Sequence, residues 1–185
     1  DQFILNVGTF EPRKNALTLL KAYHQSGLAE RGVQLVLVGK GKSYKRKLID
    51  FIDQHHMNKN VRMLEGLPFA DLPALYRLAS VFAYPSLFEG FGIPLIESQF
   101  QETAIISSHG SCFPEVAGPH SLYCDPHAVE QWSESLQNLF QDPDKLTSMA
   151  ADGLEYVQRF HAQKVTKDLV YFYQSLGNNA SLEEQ

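Results

Sequence analysis

Two glutamates flank a glycine-rich stretch in the sequence FEGFGIPLIE, residues 88–97. Glu97 falls in the first turns of a helix that Pro94 can begin, because proline suits the first helical turn. A purely structural explanation exists for Glu97, because the helix dipole alone would stabilise a carboxylate there by about 0.3–1 kcal/mol. In that explanation Glu89 would be no more than an exposed acid in a loop. Ionised carboxylates only accept hydrogen bonds, so this pair could bind the vicinal hydroxyls of a ribose or a hexose.

A second stretch, GTFEPRKN at residues 8–15, has the residues of an anion site. Gly8 allows close backbone approach, and Arg13 and Lys14 precede a predicted helix, whose free N–H groups favour a diphosphate. The two cations could equally be solvated charges at a turn made by Pro12. The segment GKGK at residues 39–42 also opens a helix, but it lacks the spacing of the dinucleotide fingerprint. Cations for phosphates and carboxylates for sugars together suit a sugar nucleotide.

The elements that must position these residues alternate between strands and helices. This alternation predicts an α/β fold, a Rossmann-like doubly wound parallel sheet of about six strands with helices on both faces. Such sheets bind ligands at the carboxyl ends of their strands, here in the loops after Val7, Val38, Leu64 and Tyr84. The predicted strands cover residues 3–7, 35–38, 61–64, 81–84, 104–107 and 121–124.

Composition narrows the class of protein. The 185 residues are 44% hydrophobic with a formal net charge of −5, which predicts one globular domain and argues against a nucleic acid partner. Cys112 and Cys124 form no CxxC pattern, so a disulfide framework is not expected and a reducing cytoplasmic compartment is. Residue 1 is Asp and a strand follows at once, which suggests an internal fragment of a longer gene product.

Four segments, GTFEPRKN, VGKGK, LFEGFGIPLIE and GSCFPEVAG, in this order, resemble the donor-binding C-terminal half of retaining GT-B glycosyltransferases of family 4, group 1. The resemblance covers residues 3 to about 176. It implies a donor-binding domain over residues 1–176, whose final helix crosses back to an N-terminal acceptor domain absent from this chain. The polar residues 177–185 are expected to form a flexible tail.

The resemblance implies that the enzyme transfers a hexose, of mannose type, from a GDP- or UDP-hexose to a saccharide or lipid-linked acceptor. It implies no cofactor and no metal, and it allows peripheral contact with the cytoplasmic face of the membrane through the N-terminal half. Lys14, which neutralises the leaving diphosphate, and Glu89, which contacts the donor sugar, are the predicted catalytic residues. The predicted donor-binding residues are Gly8, Thr9, Arg13, Lys14, Gly39, Phe91, Gly92, Ile93 and Glu97.

The sequence departs from the family at Thr9, where many relatives have a second phosphate-binding arginine, so the charge rests on Lys14 with Arg13. A non-catalytic nucleotide-sugar-binding or scaffold subunit would keep the same residues and stays an alternative. A flavodoxin-like receiver fits less well, because Gly8 and Glu65 stand where it needs acidic residues. Front-face attack and double displacement both stay open as routes to retention.

Overall fold

The computed structural model describes residues 2–180, which form one parallel sheet surrounded by helices. The strands are β1 Phe3–Val7, β2 Gln34–Val38, β3 Val61–Leu64, β4 Val81–Tyr84, β5 Ala104–Ser108 and β6 Leu122–Cys124. The helices are α1 Ala16–Gln25, α2 Ser43–Gln54, α3 Leu72–Leu78, α4 Ile93–Phe100, α5 Phe113–Ala117, α6 Val129–Gln141, α7 Pro143–Val157 and α8 Ala162–Ala180. The doubly wound sheet predicted from the sequence is confirmed.

The strand order is β3-β2-β1-β4-β5-β6, and every neighbouring pair is parallel. The chain winds outward from β1 in one direction and then from β4 in the other. The order therefore reverses between β1 and β4, and a crevice forms where the loops after these two strands diverge. Those loops contain GTFEPRKN and the first half of FEGFGIPLIE, which explains how segments far apart in sequence come together.

Both faces of the sheet are covered, which accounts for the continuous apolar runs of the strands. On one face, α1, α2 and α6 bury Leu19, Leu48 and Trp132 against the sheet. On the other face, Tyr76 of α3 and Leu95 of α4 pack in the second core, together with α5. The two layers hold the strand ends in place, so the loops that leave the carboxyl edge have a rigid base.

The last helix departs from the sequence prediction. Helix α8 continues to Ala180, past residue 177, where the sequence places the start of a flexible tail, and residues 181–185 of that tail lie outside the described residues. Several of its apolar side chains are about half exposed, including Leu169 and Phe172. No helix within residues 2–180 is both long and apolar enough to span a bilayer.

Candidate functional site

The loops after β1 and β4 are joined by backbone and side-chain hydrogen bonds. The amide of Leu87 donates to the carbonyl of Arg13 at 2.8 Å. Asn15 adopts a left-handed conformation with φ 54°, and its side-chain amide donates to the carbonyls of Pro85 at 3.0 Å and Pro126 at 2.8 Å. Asparagine tolerates this backbone conformation better than most residues. These bonds fix Arg13 and Lys14 beside the glycine-rich loop.

Glu89 lies between the two cations of the first loop. Its Oε1 is 2.6 Å from Lys14 Nζ, and its Oε2 is 2.7 Å from Arg13 Nη1. The Glu89 side chain is 10% exposed and that of Lys14 is 14% exposed, so Glu89 is not the exposed loop acid that its sequence position allows. Lys14 also donates to the Tyr84 hydroxyl at 3.1 Å, at the carboxyl end of β4. Arg13 is more exposed and donates to the carbonyl of Phe88 at 2.8 Å.

The surroundings of Glu89 keep it ionised. Burial works to raise the pKa of Glu89, but the hydrogen bonds from Lys14 and Arg13 outweigh burial and hold the pKa below its ordinary value. The same carboxylate raises the pKa of Arg13, because it stabilises the guanidinium through a hydrogen bond. Burial, aided by Glu89, raises the pKa of Tyr84, so this hydroxyl stays protonated at neutral pH. Because Glu11 Oε1 is 2.8 Å from Arg13 Nη2, the cluster holds two positive and two negative charges.

Glu97 lies apart from this cluster, on the side of α4 that faces α3. Its Oε2 accepts a hydrogen bond from the Tyr76 hydroxyl at 2.9 Å. Beside it is a groove of about 250 Å³, whose lining is mostly apolar. The groove is lined by Phe69, Leu72, Pro73, Tyr76, Glu97, Phe100 and Gln101. A flat apolar group could enter the groove while its polar neighbour reached the carboxylate.

The glycine-rich bend ends where α4 begins. Gly92 has φ 91°, a conformation that side chains disfavour, and Pro94 occupies the first turn as the sequence predicts. Within residues 2–180, the backbone amides of Phe91, Gly92 and Ile93 donate no hydrogen bond. The side chains of Phe91 and Ile93 are 48% and 60% exposed. Free amides at a helix N-terminus favour an anionic or polar ligand.

Gly8, Thr9 and Gly39 lie at the same edge of the sheet. Gly8 donates its amide to the carbonyl of Val38 at 2.9 Å, and a Cβ on Gly39 would overlap the carbonyl of Gly8. The visible reason for Gly39 is therefore the close approach of two backbones. Thr9 is exposed and brings no charge to the edge. The cations of these two loops are Arg13 and Lys14 in the first and Lys40 and Lys42 in the second.

Comparison with known proteins identifies the family. The model of glycosyl transferases group 1 matches residues 1–155. The chain belongs to this family. The O-antigen chain mannosyltransferase B of Escherichia coli is 31% identical over 175 residues, which cover 94% of this chain and 46% of that protein. The chain thus spans less than half the length of this relative.

Solved structures agree on the fold of this group 1 glycosyltransferase domain. Sucrose-phosphate synthase from Thermosynechococcus elongatus has a TM-score of 0.84 at 23% identity, over 97% of this chain and 46% of its own. Anabaena Alr3699/HepE in complex with UDP has a TM-score of 0.86 at 18% identity, over 95% and 49%. These findings confirm the resemblance to a C-terminal domain of the GT-B fold.

Some residues of the candidate site were not predicted. Tyr84 accepts a hydrogen bond from Lys14, Tyr76 donates one to Glu97, and Asn15 joins the loops, yet none was a candidate. Tyr84 carried a signal, because it ends a predicted strand next to the point where the strand order reverses. Tyr76 lies on the apolar stripe of α3, so its contact with Glu97 required knowledge of how α3 and α4 pack.

Proposed function

We propose that this chain is the donor-binding domain of a retaining hexosyltransferase that uses a nucleoside diphosphate sugar. The observation that supports this best is the pairing of Lys14 with Glu89 at 2.6 Å, because Glu89 lies two residues before the amides that have no acceptor within residues 2–180. One site thus offers positive charge for a diphosphate and carboxylate oxygens for sugar hydroxyls. The family, whose relatives include mannosyltransferases, supports the same reading.

In this proposal the nucleoside binds along α3 and α4. The groove beside Phe69 and Leu72 suits the flat apolar face of a base, and Glu97 accepts hydrogen bonds from the ribose hydroxyls. Tyr76 holds the Glu97 carboxylate in position through the hydrogen bond at 2.9 Å. The diphosphate then reaches the start of α4 and the first loop, where Lys14 lies.

Cleavage of the bond between the anomeric carbon and the diphosphate leaves negative charge on the phosphate and positive charge on the sugar. The electron pair of the bond goes to the leaving oxygen, and Lys14, with Arg13, stabilises the charge there without a metal. Before the donor binds, Glu89 already holds Lys14 in place, so little reorganisation is needed. The ionised Glu89 also accepts hydrogen bonds from the donor sugar and favours the positive charge near the anomeric carbon. The acceptor hydroxyl oxygen then forms the new bond to the anomeric carbon with retained configuration, and its proton passes to the departing diphosphate.

A GDP- or UDP-linked hexose of mannose type is the proposed donor, because the E. coli relative is a mannosyltransferase and a structural neighbour was solved with UDP. The proposed acceptor is a saccharide or a lipid-linked glycan, bound with the help of an N-terminal domain. By itself the chain binds the donor without transferring the sugar. The second candidate is a nucleotide-sugar-binding or scaffold subunit, which would keep the same pairing of Lys14 with Glu89.

Calorimetric titration of the 185-residue chain with UDP-, GDP- and ADP-sugars tests this proposal. Binding of one of them is expected, and Glu97→Ala should weaken it at least about tenfold, because a buried pair of ribose hydroxyls then lacks its acceptor. Glu134→Ala, which removes an exposed carboxylate from α6, is the matched control and should bind normally. Normal binding by Glu97→Ala would contradict the assigned role, and no binding by the wild type would contradict the function.

The two candidate functions separate in the full-length protein. A transferase should release the nucleoside diphosphate from its donor when the acceptor is present, and Lys14→Met should slow this release at least about a hundredfold, as loss of a transition-state charge partner does. A scaffold subunit would bind the donor and release nothing. The full-length wild type without turnover on any saccharide or lipid-linked acceptor would therefore favour the second candidate.

A further inference from the structure

We propose that Ser111 and Cys112 are positioning residues that hold the backbone of the glycine-rich loop, and through it Glu89, in the geometry that the donor sugar requires. Both residues lie in the loop between β5 and α5. This assignment rests on the proposed function for the identity of the ligand. Both residues belong to the segment GSCFPEVAG, one of the four that carry the family resemblance.

The loop after β4 is held from two sides. On one side, the first loop supplies Arg13, whose guanidinium donates to the carbonyl of Phe88 at 2.8 Å. On the other side, Ser111 Oγ donates to the carbonyl of Glu89 at 2.9 Å and accepts from the amide of Glu89 at 3.4 Å. The side chain of Ser111 thus contacts both backbone groups of Glu89, which places this residue between two fixed loops.

Cys112 extends the same contact by two residues. Its thiol is 3.0 Å from the carbonyl of Phe91 and 3.4 Å from the carbonyl of Glu89, both within reach of a weak S–H donor. These contacts orient the peptide groups just before α4, where the free amides of Phe91, Gly92 and Ile93 lie. Cys112 directly precedes α5, whose first residue, Phe113, is fully buried. We call the contacts of Ser111 and Cys112 with the backbone of residues 89–91 the clamp. The clamp is therefore anchored in the second core.

The backbone conformation of Ser111 would suit glycine better, so the hydroxyl is the group that gives a reason for serine at this position. Gly110 and Ser111 both have positive φ, 96° and 50°, in a region that favours glycine. A glycine at position 111 would adopt this conformation with less strain, but it would lose both contacts with Glu89. A second glycine is thus the natural comparison for the serine.

Four variants test the clamp: Ser111→Gly, Ser111→Ala, Cys112→Ala and Cys112→Ser. The binding probes are GDP-mannose and UDP-glucose. GMP and UMP serve as nucleotides that lack the hexose and the second phosphate. Ser111→Gly and Ser111→Ala should weaken the sugar nucleotide about five- to tenfold, as expected for a lost hydrogen bond, and leave the monophosphate within about twofold. Cys112→Ala should act in the same direction, and Cys112→Ser should restore binding because it keeps a donor.

A purely structural role predicts a different pattern. In that case both ligands would weaken together and the thermal midpoint would fall, whereas Ser111→Gly should not lower the midpoint because it relieves a strained backbone. The matched control is Ser148→Ala, which removes an exposed hydroxyl that, within residues 2–180, hydrogen-bonds only to Asp152 at 3.2 Å. Equal losses for sugar nucleotide and monophosphate, or no loss for either, would overturn the clamp.

A second measurement needs no ligand. The carboxyl of Glu89, followed by ¹³C NMR through a pH titration, should have a pKa below its ordinary value in the wild type, because bonds from Lys14 and Arg13 outweigh burial. In Ser111→Gly this pKa should rise as Glu89 loses its fixed position. An unchanged titration would overturn the clamp. Failure of the wild type to bind any nucleotide would instead overturn the proposed function, so the two failures are distinguishable.

Discussion

Lys14 and Glu89 are 75 positions apart in the chain, and their contact determines the charge of the site. The carboxylate of Glu89 contacts both cations, with Lys14 on one oxygen and Arg13 on the other. A diphosphate that binds here would share Lys14 with this carboxylate. The cations that would bind an anion are therefore already paired with a carboxylate.

Lys14→Met should lower the free energy of unfolding at pH 7 by about 2 kcal/mol, because a largely buried carboxylate loses a charged hydrogen-bond donor. Urea unfolding of the 185-residue chain measures this. Lys164→Met is the matched control, since it removes the same group from an exposed pair with Asp168 at 2.8 Å and should cost less than about 0.5 kcal/mol. Equal losses would mean that Glu89 is well solvated in solution.

The lowered pKa of Glu89 predicts a pH dependence of stability. The unfolded chain, in which the pKa returns to its ordinary value of 4.5, binds more protons than the folded chain as the pH falls below that value. The contribution of Glu89 is thus present above pH 4.5 and is lost as the pH falls through the folded pKa. Glu89→Gln should show a shallower loss of stability in this range. Parallel curves for wild type and variant in thermal scans would contradict the pairing.

At the scale of single residues, the sequence predicts types better than partners. Glu89, Glu97 and Lys14 were recognised because carboxylates around a glycine-rich bend and cations before a helix are unusual patterns. Their contacts with Tyr84 and Tyr76 were not predicted, because each contact joins two elements whose relative position depends on packing. The hydroxyl of Ser111 was missed for the same reason.

At the scale of secondary-structure elements, close packing holds the loops after β1 and β2 together. The loops after β1 and β2 cross closely, with the amide of Phe10 donating to the carbonyl of Lys40 at 2.7 Å. A Cβ on Gly39 would overlap the carbonyl of Gly8, and one on Gly41 would meet Phe10. The glycines of GKGK therefore allow the loops after β1 and β2 to pack against each other. This packing fixes the backbone of the loop after β1, which contains Lys14.

Gly39→Ala should accordingly lower the free energy of unfolding by about 1–3 kcal/mol, the usual range for an added methyl group in a filled space. Gly90→Ala is the control, because a Cβ there would meet nothing within 4 Å and the residue lacks a positive φ. It should change stability by less than about 0.5 kcal/mol. Denaturant unfolding compares the two, and a neutral Gly39→Ala would mean that the loops can separate at no cost.

The elements themselves were mostly predicted from the sequence. All six strands occur within one residue of their predicted bounds, because each is a short apolar run buried on two faces and bounded by glycine, proline or polar residues. Helix α5 was not predicted. Its five residues, Phe113–Ala117, include a proline and are too few to show a helical period, so the segment resembled an ordinary loop.

At the scale of the whole molecule, α8 differs from the other helices. Its sequence repeats apolar residues at helical spacing, yet Val165, Leu169, Phe172 and Leu176 are each about half exposed. By contrast, Leu136 of α6, which has the same kind of pattern, is fully buried. An apolar stripe of this length is typical of a surface that another segment covers. We propose that an N-terminal domain covers this stripe in the full-length protein.

Replacing Leu169 and Phe172 together with lysine should therefore leave the thermal stability of the 185-residue chain nearly unchanged, within about 0.5 kcal/mol, since both side chains are largely in water. Binding of an apolar fluorescent dye should fall. Leu136→Ala, the control, removes a fully buried side chain and should cost about 2–5 kcal/mol. If the double variant were destabilised as strongly as Leu136→Ala, α8 would have to pack on its own domain in solution, and the apolar stripe would need no partner.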